Sequence, residues 1–191
     1  MLVYRTFPHL PTALPGDSGH WSYLHRPQGR GRLDNPDLYD TWYFALTPEA
    51  AVGETFGDLP RWGSAMFEFP HLVGAKRVLG VFEVPDDSRL LDLDDANALV
   101  DRALRPTQVI VRNRSTSQGW ARKIYGERSA SRDRVWDGVR WWSFHRAQWT
   151  VVALWAPPGS AAPYSCVRVE DLSTDHPAVL DAARALGRQV V

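Results

Sequence analysis

A series of short apolar and aromatic runs constrains the fold most strongly. Thr41–Leu46 and Gln148–Trp155 are rich in aromatic and β-branched residues, which is typical of buried strands. Shorter runs of the same kind predict further strands at residues 2–6, 76–84, 90–93, 137–142 and, as an edge strand, 164–169. The longest strongly apolar stretch, Trp149–Ala156, is too short to span a membrane. The runs therefore predict a sheet built from many short strands.

Helical segments lie between these runs. Thr47 is a good N-cap and Pro48 suits the first helical position, which predicts a helix to about Phe56 with Gly57 near its end. Three more helices are predicted, from Asp94 or Asp95 to Ala103, from Ser115 or Thr116 to Tyr125, and over 177–189. Residues 8–40, 58–74 and 126–135 are predicted to be irregular, and 107–111 extended. Because strands and helices do not alternate strictly, we expect a single α+β domain, with a mixed sheet flanked by helices.

Composition and charge narrow the function. The chain has 191 residues, with 22 basic and 22 acidic side chains, so the overall charge does not favour direct binding to nucleic acid. The charge is unevenly spread, however, because residues 102–146 hold eleven Arg or Lys and only three acids. This segment predicts either a basic surface for an anionic ligand or acidic partner, or a solvated Arg-rich surface.

The sequence lacks the motifs of several common kinds of functional site. The single cysteine, Cys166, allows no internal disulfide and is interpreted as a small buried side chain. With no secretory signal at the N-terminus, this favours a cytoplasmic protein that does not enter a membrane. The six histidines show no zinc-site spacing, and there is no Gly-rich phosphate loop or serine-hydrolase elbow. No metal is expected, and His145 is the one histidine close to a motif of interest.

Three motifs follow one another in a defined order. The first is Gly31-Arg32-Leu33-Asp34-Asn35-Pro36. The second is the segment 42–54, which ends in Glu54, with Gly53 just before it. The third joins residues 116–124 to 137–143, which end in Ser143. Together with Tyr4-Arg5, these motifs resemble the RES domain family, which is named for an Arg, a Glu and a Ser.

The resemblance implies an NAD⁺-consuming enzyme with an ADP-ribosyltransferase-like fold. NAD⁺ is then the substrate, and Arg32, Glu54 and Ser143 are the implied catalytic residues. Family members are toxins, usually held by an Xre-type helix-turn-helix antitoxin. The expected organisation is a catalytic domain over 1–156 and a C-terminal extension over 157–191 that packs on the same domain.

The charge and aromatic character of several of these residues match the chemical groups of NAD⁺. Arg binds a dianionic diphosphate bidentately, so Arg32 in its Gly-containing loop and Arg5 on the first strand are candidate ligands. The cationic nicotinamide ring favours an aromatic face, which Tyr43 offers. Ser117 and Gln118, at a predicted helix start, are further candidates for a phosphate contact.

Glu54 and Ser143 are candidates for assisting cleavage of the N-glycosidic bond of NAD⁺. Positive charge develops on the ribose as the N-glycosidic bond breaks, and the Glu54 carboxylate would stabilise it. Nicotinamide leaves as a neutral molecule, so one carboxylate suffices. The Ser143 hydroxyl would hold a ribose or phosphate oxygen, or orient Glu54.

Three functions therefore stay open. The first is a toxin that cleaves NAD⁺ by hydrolysis or phosphorolysis, which would deplete NAD⁺ and arrest growth. The second is a mono-ADP-ribosyltransferase with a protein target; Ser115-Thr116-Ser117 matches the S-T-S of the Arg-modifying class, but the chain has no E-x-E. The third is a binding module without catalysis that uses the basic segment 102–146.

Overall fold

The structure, a computed structural model, describes residues Met1–Val191. Seven strands form one sheet: β1 (Leu2–His9), β2 (Asp40–Ala45), β3 (Lys76–Glu83), β4 (Leu90–Asp92), β5 (Gly138–Trp142), β6 (Thr150–Ala156) and β7 (Ser165–Asp171). Their order across the sheet is β4-β5-β6-β2-β1-β3-β7. All neighbours are antiparallel except β4 and β5, which are parallel. The mixed sheet confirms the α+β class, and β7 lies at an edge as predicted.

Five α-helices and one 3₁₀ helix accompany the sheet. The α-helices are α1 (Pro48–Phe56), α2 (Ala96–Val100), α3 (Pro106–Val109), α4 (Arg114–Tyr125) and α5 (Pro177–Leu186), and the 3₁₀ helix is Ser64–Phe67. The start of α1 is confirmed, because the Thr47 hydroxyl accepts a hydrogen bond from the Ala50 N–H at 3.3 Å. None of these helices has the length and apolar character that crossing a membrane requires.

Two local predictions are wrong. Residues 107–111 were expected to be extended, but α3 forms there because Pro106 suits the first helical position and the Gln108 side chain accepts a hydrogen bond from the Arg105 N–H at 2.9 Å. The N-cap of α4 is Asn113 rather than Ser115 or Thr116, since the Asn113 side chain accepts from the Thr116 N–H. Both errors concern short segments in which several capping residues compete.

The sheet opens between β1 and β2. β1 pairs with β3 over its whole length, from Leu2 opposite Glu83 to His9 opposite Lys76. Its pairing with β2 is limited to Tyr4 opposite Ala45, although β2 stays fully paired with β6. The two strands therefore diverge next to this single pair, in the middle of the sheet.

The two faces of the sheet carry separate cores. A large core of thirty buried residues includes α1, α4 and α5. A smaller, aromatic core of eleven residues lies on the other face and contains Trp42, Phe44, Phe82 and Tyr164. Residues alternate between the faces along each strand, so Trp42 and Phe44 belong to the smaller core while Tyr43 and Ala45 face the helices.

Helix α1 runs without interruption through Gly53. The helix buries Ala50, Ala51 and Val52 against the sheet. A Cβ atom at Gly53 would overlap the ring of Trp149, which packs directly on the helix backbone at this point. The glycine is therefore required by close packing, and it lets the next residue, Glu54, approach the sheet.

We predict that Gly53→Ala destabilises the protein. The added methyl group must displace the buried Trp149 ring, which costs about 1–3 kcal/mol. Gly119→Ala is the matched control, because Gly119 is also helical but has nothing within 4 Å of its Cβ position; there we expect a gain of up to about 1 kcal/mol. Urea denaturation of both variants measures the effect. Equal stability of the two would contradict the packing argument.

Candidate active site

A cavity of about 330 Å³ opens where β1 and β2 diverge. Residues 4–6 of β1 and 43–45 of β2 line it, and the 30–32 loop, α1, Arg114, Trp141 and Val151 complete its wall. Its volume is within the range of small-molecule sites. Four of the predicted site residues line this cavity: Arg5, Arg32, Tyr43 and Glu54.

The loop that carries Arg32 is organised by the buried carboxylate of Asp34. One Asp34 oxygen accepts hydrogen bonds from the Gly29 and Gly31 N–H groups at 2.9 and 2.7 Å, and the other accepts from the Tyr43 hydroxyl at 2.7 Å. A Cβ atom at Gly31 would overlap the Asp34 carboxylate and lie 2.6 Å from the Tyr43 oxygen. The glycine before Arg32 is therefore needed to bring the loop this close to β2.

The Arg32 guanidinium is held by backbone and keeps unused donors. Its Nη2 donates to the carbonyls of Val109 and Val111 at 2.7 and 3.1 Å, while its buried Nε has no partner. Burial lowers the pKa of Arg32, and the nearby Glu54 carboxylate opposes this shift. Because an arginine stays charged in proteins, the cavity contains a fixed, incompletely satisfied cation.

Arg5 is a second cation without an acidic partner. Burial lowers the pKa of Arg5, and Tyr164 beside it opposes the shift. Arg5 forms none of the ion pairs found in the protein, and the polar group beside it is the uncharged Tyr164 hydroxyl. A largely desolvated, unpaired guanidinium is a favourable site for an anion.

Ser143 orients Glu54. Its hydroxyl donates a short hydrogen bond to the Glu54 carboxylate and accepts from the His145 N–H at 2.9 Å. Ser143 is buried and does not line the cavity, whereas Glu54 is exposed to it. Of the two roles considered for Ser143, the geometry matches the positioning of Glu54. The His145 ring packs against Gly57 and is not part of the cavity wall.

Ser117 and Gln118 lie outside the cavity, contrary to the expected phosphate contact. The fully buried Ser117 hydroxyl donates to the Arg32 carbonyl at 2.5 Å. The Gln118 side-chain amide donates to the carbonyls of Gly31 and Gly29 at 3.0 and 3.2 Å. These donors are used by the loop, so both residues position Arg32 instead of touching a ligand.

Tyr43 presents its ring to the cavity while its hydroxyl is fully used. The hydroxyl donates to Asp34 and accepts from the Leu33 N–H at 2.8 Å. Burial raises the pKa of Tyr43 well above its usual value, and the Asp34 carboxylate adds to the shift. The side chain is therefore neutral and fixed, as a stacking surface requires.

Two hydroxyls in the cavity wall, those of Thr6 and Thr55, were not predicted from the sequence. They form a short mutual hydrogen bond, and the Thr55 hydroxyl also donates to the Ala51 carbonyl at 3.1 Å. The two hydroxyls hold two protons, and their mutual hydrogen bond uses one of them, so at most one proton is free for a ligand. With Glu54 in the same wall, this part of the cavity is rich in hydrogen-bond acceptors. Thr55 directly follows Glu54, but nothing in the sequence places Thr6 opposite it.

The basic segment 102–146 is partly neutralised. Five of its arginines pair with carboxylates, namely Arg102, Arg112, Arg122, Arg134 and Arg140. Arg114 lies at the cavity instead. The triplet Ser115-Thr116-Ser117 is helical, within α4, and not on a strand. No cluster of three or more His, Cys, Asp or Glu side chains is arranged to bind a metal ion.

Comparisons with known proteins give a family match and a structural match. The model of the family described as the RES domain matches residues 3–178, past the expected boundary at 156. Among solved structures, a chain of the M. tuberculosis MbcT–MbcA toxin–antitoxin complex aligns with a TM-score of 0.60 and 16% identity, covering 97% of this chain and 88% of that chain. The likeness at this identity is one of fold. No curated protein matches the chain.

We predict that Tyr43→Phe destabilises the protein at neutral pH and weakens the dependence of its stability on alkaline pH. The loss of two hydrogen bonds in a partly buried network costs about 1–3 kcal/mol. Because the pKa of Tyr43 is higher in the folded state, its contribution is complete below about pH 10 and decreases as the pH rises further. Thermal unfolding between about pH 7 and pH 11 measures both effects.

Tyr23→Phe is the control, because the Tyr23 hydroxyl contacts only the exposed His25 ring, at 3.4 Å. Tyr39 and Tyr164 remain in both variants, so the difference reports on Tyr43 alone. An unchanged alkaline slope in Tyr43→Phe would show that its hydroxyl does not titrate with folding.

Proposed function

The chain belongs to the RES domain family, and we propose that it is an enzyme that cleaves the bond between nicotinamide and ribose in NAD⁺. One observation carries the proposal: two arginines without carboxylate partners and a positioned carboxylate line one cavity. Arg5 and Arg32 supply cations for an anionic ligand, and Glu54 supplies the negative charge that a cationic transition state needs.

Binding rests on the two guanidiniums. Arg32 has an unused buried donor, and Arg5 has no carboxylate partner, so a diphosphate would satisfy both. The neutral Tyr43 ring lies in the same wall and offers a face to the nicotinamide. These contacts would orient the dinucleotide with its reactive ribose towards α1.

Cleavage needs charge stabilisation and no general acid. As the bond between the ribose C1′ and the nicotinamide nitrogen breaks, its electron pair leaves with nicotinamide, which becomes neutral. The positive charge then lies on the ribose, where the Glu54 carboxylate stabilises it. The Ser143 hydroxyl keeps this carboxylate in place. Water or phosphate then forms the new bond to C1′ and loses a proton to solvent.

The acceptor-rich part of the cavity wall suits the ribose hydroxyls. Thr6 and Thr55 have at most one free proton between them and Glu54 accepts only, so the three groups favour a ligand that donates. A ribose 2′- or 3′-hydroxyl is such a donor. A phosphate oxygen at this position would be repelled.

We propose further that the activity is that of a cytoplasmic toxin. Its expected partner is an Xre-type helix-turn-helix antitoxin, as the family resemblance implies. The similar fold in the MbcT–MbcA toxin–antitoxin complex supports this role. Uncontrolled loss of NAD⁺ would arrest growth, so the cell would need such a partner. The helical position of Ser115-Thr116-Ser117 gives no support to the Arg-modifying transferase alternative.

We predict that Glu54→Gln lowers kcat for NAD⁺ cleavage by about 10² or more, because the carboxylate charge is lost while its shape remains. Nicotinamide release by the purified protein, followed by chromatography, measures the rate. Glu49→Gln is the matched control, since Glu49 lies in the first turn of the same helix and outside the cavity. If the wild-type protein released no nicotinamide, with or without phosphate, the proposal would be wrong.

We predict a different kinetic effect for Thr55→Val. The loss of one acceptor for a ribose hydroxyl should raise KM by about five- to tenfold and leave kcat nearly unchanged. Thr55→Ser keeps the hydroxyl and should restore KM. A fall in kcat alone, or no rescue by serine, would contradict a role in holding the ribose.

A further inference from the structure

We infer that Arg30 and Arg114 form a second phosphate subsite at the mouth of the cavity, separate from the Arg5 and Arg32 pair. The inference rests on the proposed function and extends it, because it assigns a phosphate group beyond the diphosphate. Both residues line the cavity and both are exposed. Neither side chain makes a hydrogen bond or an ion pair.

This lack of partners distinguishes the two residues from their neighbours. Arg112 pairs with Asp58 and stacks on Phe144, and Arg122 pairs with Asp37 at 2.8 Å. The protein itself therefore neutralises these two neighbouring arginines. Arg30 and Arg114 keep all their donors for a ligand.

The backbone that carries the two arginines is fixed. The Gln118 amide bonds to the carbonyls of Gly29 and Gly31, on either side of Arg30. The Ser117 hydroxyl contacts the Arg32 carbonyl at 2.5 Å and the Arg114 carbonyl at 3.3 Å. The loop and the start of α4 are therefore joined, and the two guanidiniums originate from one rigid support.

The charge of the cavity also exceeds what NAD⁺ can neutralise. Four guanidiniums and one carboxylate line the cavity, a net charge of +3. A dianionic diphosphate is partly offset by the cationic nicotinamide, so NAD⁺ leaves most of this charge unbalanced. An additional phosphate monoester brings about −2 at neutral pH. Arginine pairs bind such a group bidentately.

Two sources supply this chemistry. One is a phosphate monoester on the substrate, as in NADP⁺. The other is free inorganic phosphate, whose oxygen would form the bond to the ribose C1′ while the electron pair of the broken bond leaves with nicotinamide. Both place a phosphate dianion against the same two guanidiniums.

Binding and turnover experiments test the subsite. Calorimetry compares adenosine 2′,5′-bisphosphate, AMP and inorganic phosphate on the wild-type protein and on the Arg30→Ala and Arg114→Ala variants. If the monoester is the ligand, each variant should weaken the bisphosphate by about tenfold or more and change AMP by less than about twofold. If free phosphate is the ligand, the variants should weaken inorganic phosphate by the same factor.

Initial rates separate the two sources. A monoester site gives NADP⁺ a higher kcat/KM than NAD⁺, and a free-phosphate site makes added phosphate accelerate NAD⁺ loss with a phosphorylated ADP-ribose as product. Either effect should disappear in Arg30→Ala and Arg114→Ala. Arg105→Ala is the control, because Arg105 is exposed, belongs to the same basic segment and lies outside the cavity.

The inference is overturned if the variants change neither the binding of the phosphate compounds nor these rates, or if they weaken AMP as much as the bisphosphate. Phosphate binding that depends on Arg30 and Arg114, without nicotinamide release from any dinucleotide, would support the subsite and overturn the proposed function alone.

Discussion

The buried carboxylate of Asp34 is the interaction on which the site depends. A charge with so little exposure is stable only when its oxygens are hydrogen-bonded, and three donors from the loop and β2 do this. In satisfying Asp34, the chain folds the Arg32 loop onto Tyr43. Ser117 and Gln118 then hold the same loop from α4. The position of the Arg32 loop is thus set largely by Asp34, Ser117 and Gln118, none of which lines the cavity.

The Arg32 loop lines a cavity that opens where β1 and β2 diverge. A fully paired sheet would have closed the space that residues 4–6 and 43–45 now line. Full pairing of β1 with β3 and of β2 with β6 keeps the two sides rigid despite the gap. Gly53 under Trp149 brings α1 close enough for Glu54 to reach the opening. Strand divergence and close helix packing together produce a preformed site.

Local patterns predicted much of the fold. Apolar runs located all seven strands, and Thr47 with Pro48 marked the start of α1, because these features act within a few residues. The sequence motifs also singled out Arg32 and Glu54, and both residues line one cavity. The roles of Ser117, Gln118 and Thr6 were not predictable, since each depends on a partner far away in the sequence, such as Arg32, 85 residues before Ser117. Distant pairing of polar atoms leaves no periodic pattern to detect.

The unequal distribution of donors and acceptors in the cavity wall gives a bound molecule a preferred orientation. The guanidiniums in the wall can only donate hydrogen bonds, whereas the Glu54 carboxylate accepts them and the Thr6–Thr55 hydroxyl pair has at most one proton free. A dinucleotide bound in the reverse orientation would place phosphate oxygens against the Glu54 carboxylate and ribose hydroxyls against the guanidiniums. Shape alone would tolerate such a reversal in a cleft this open. The distribution of hydrogen-bond donors and acceptors therefore selects one binding orientation for an elongated molecule.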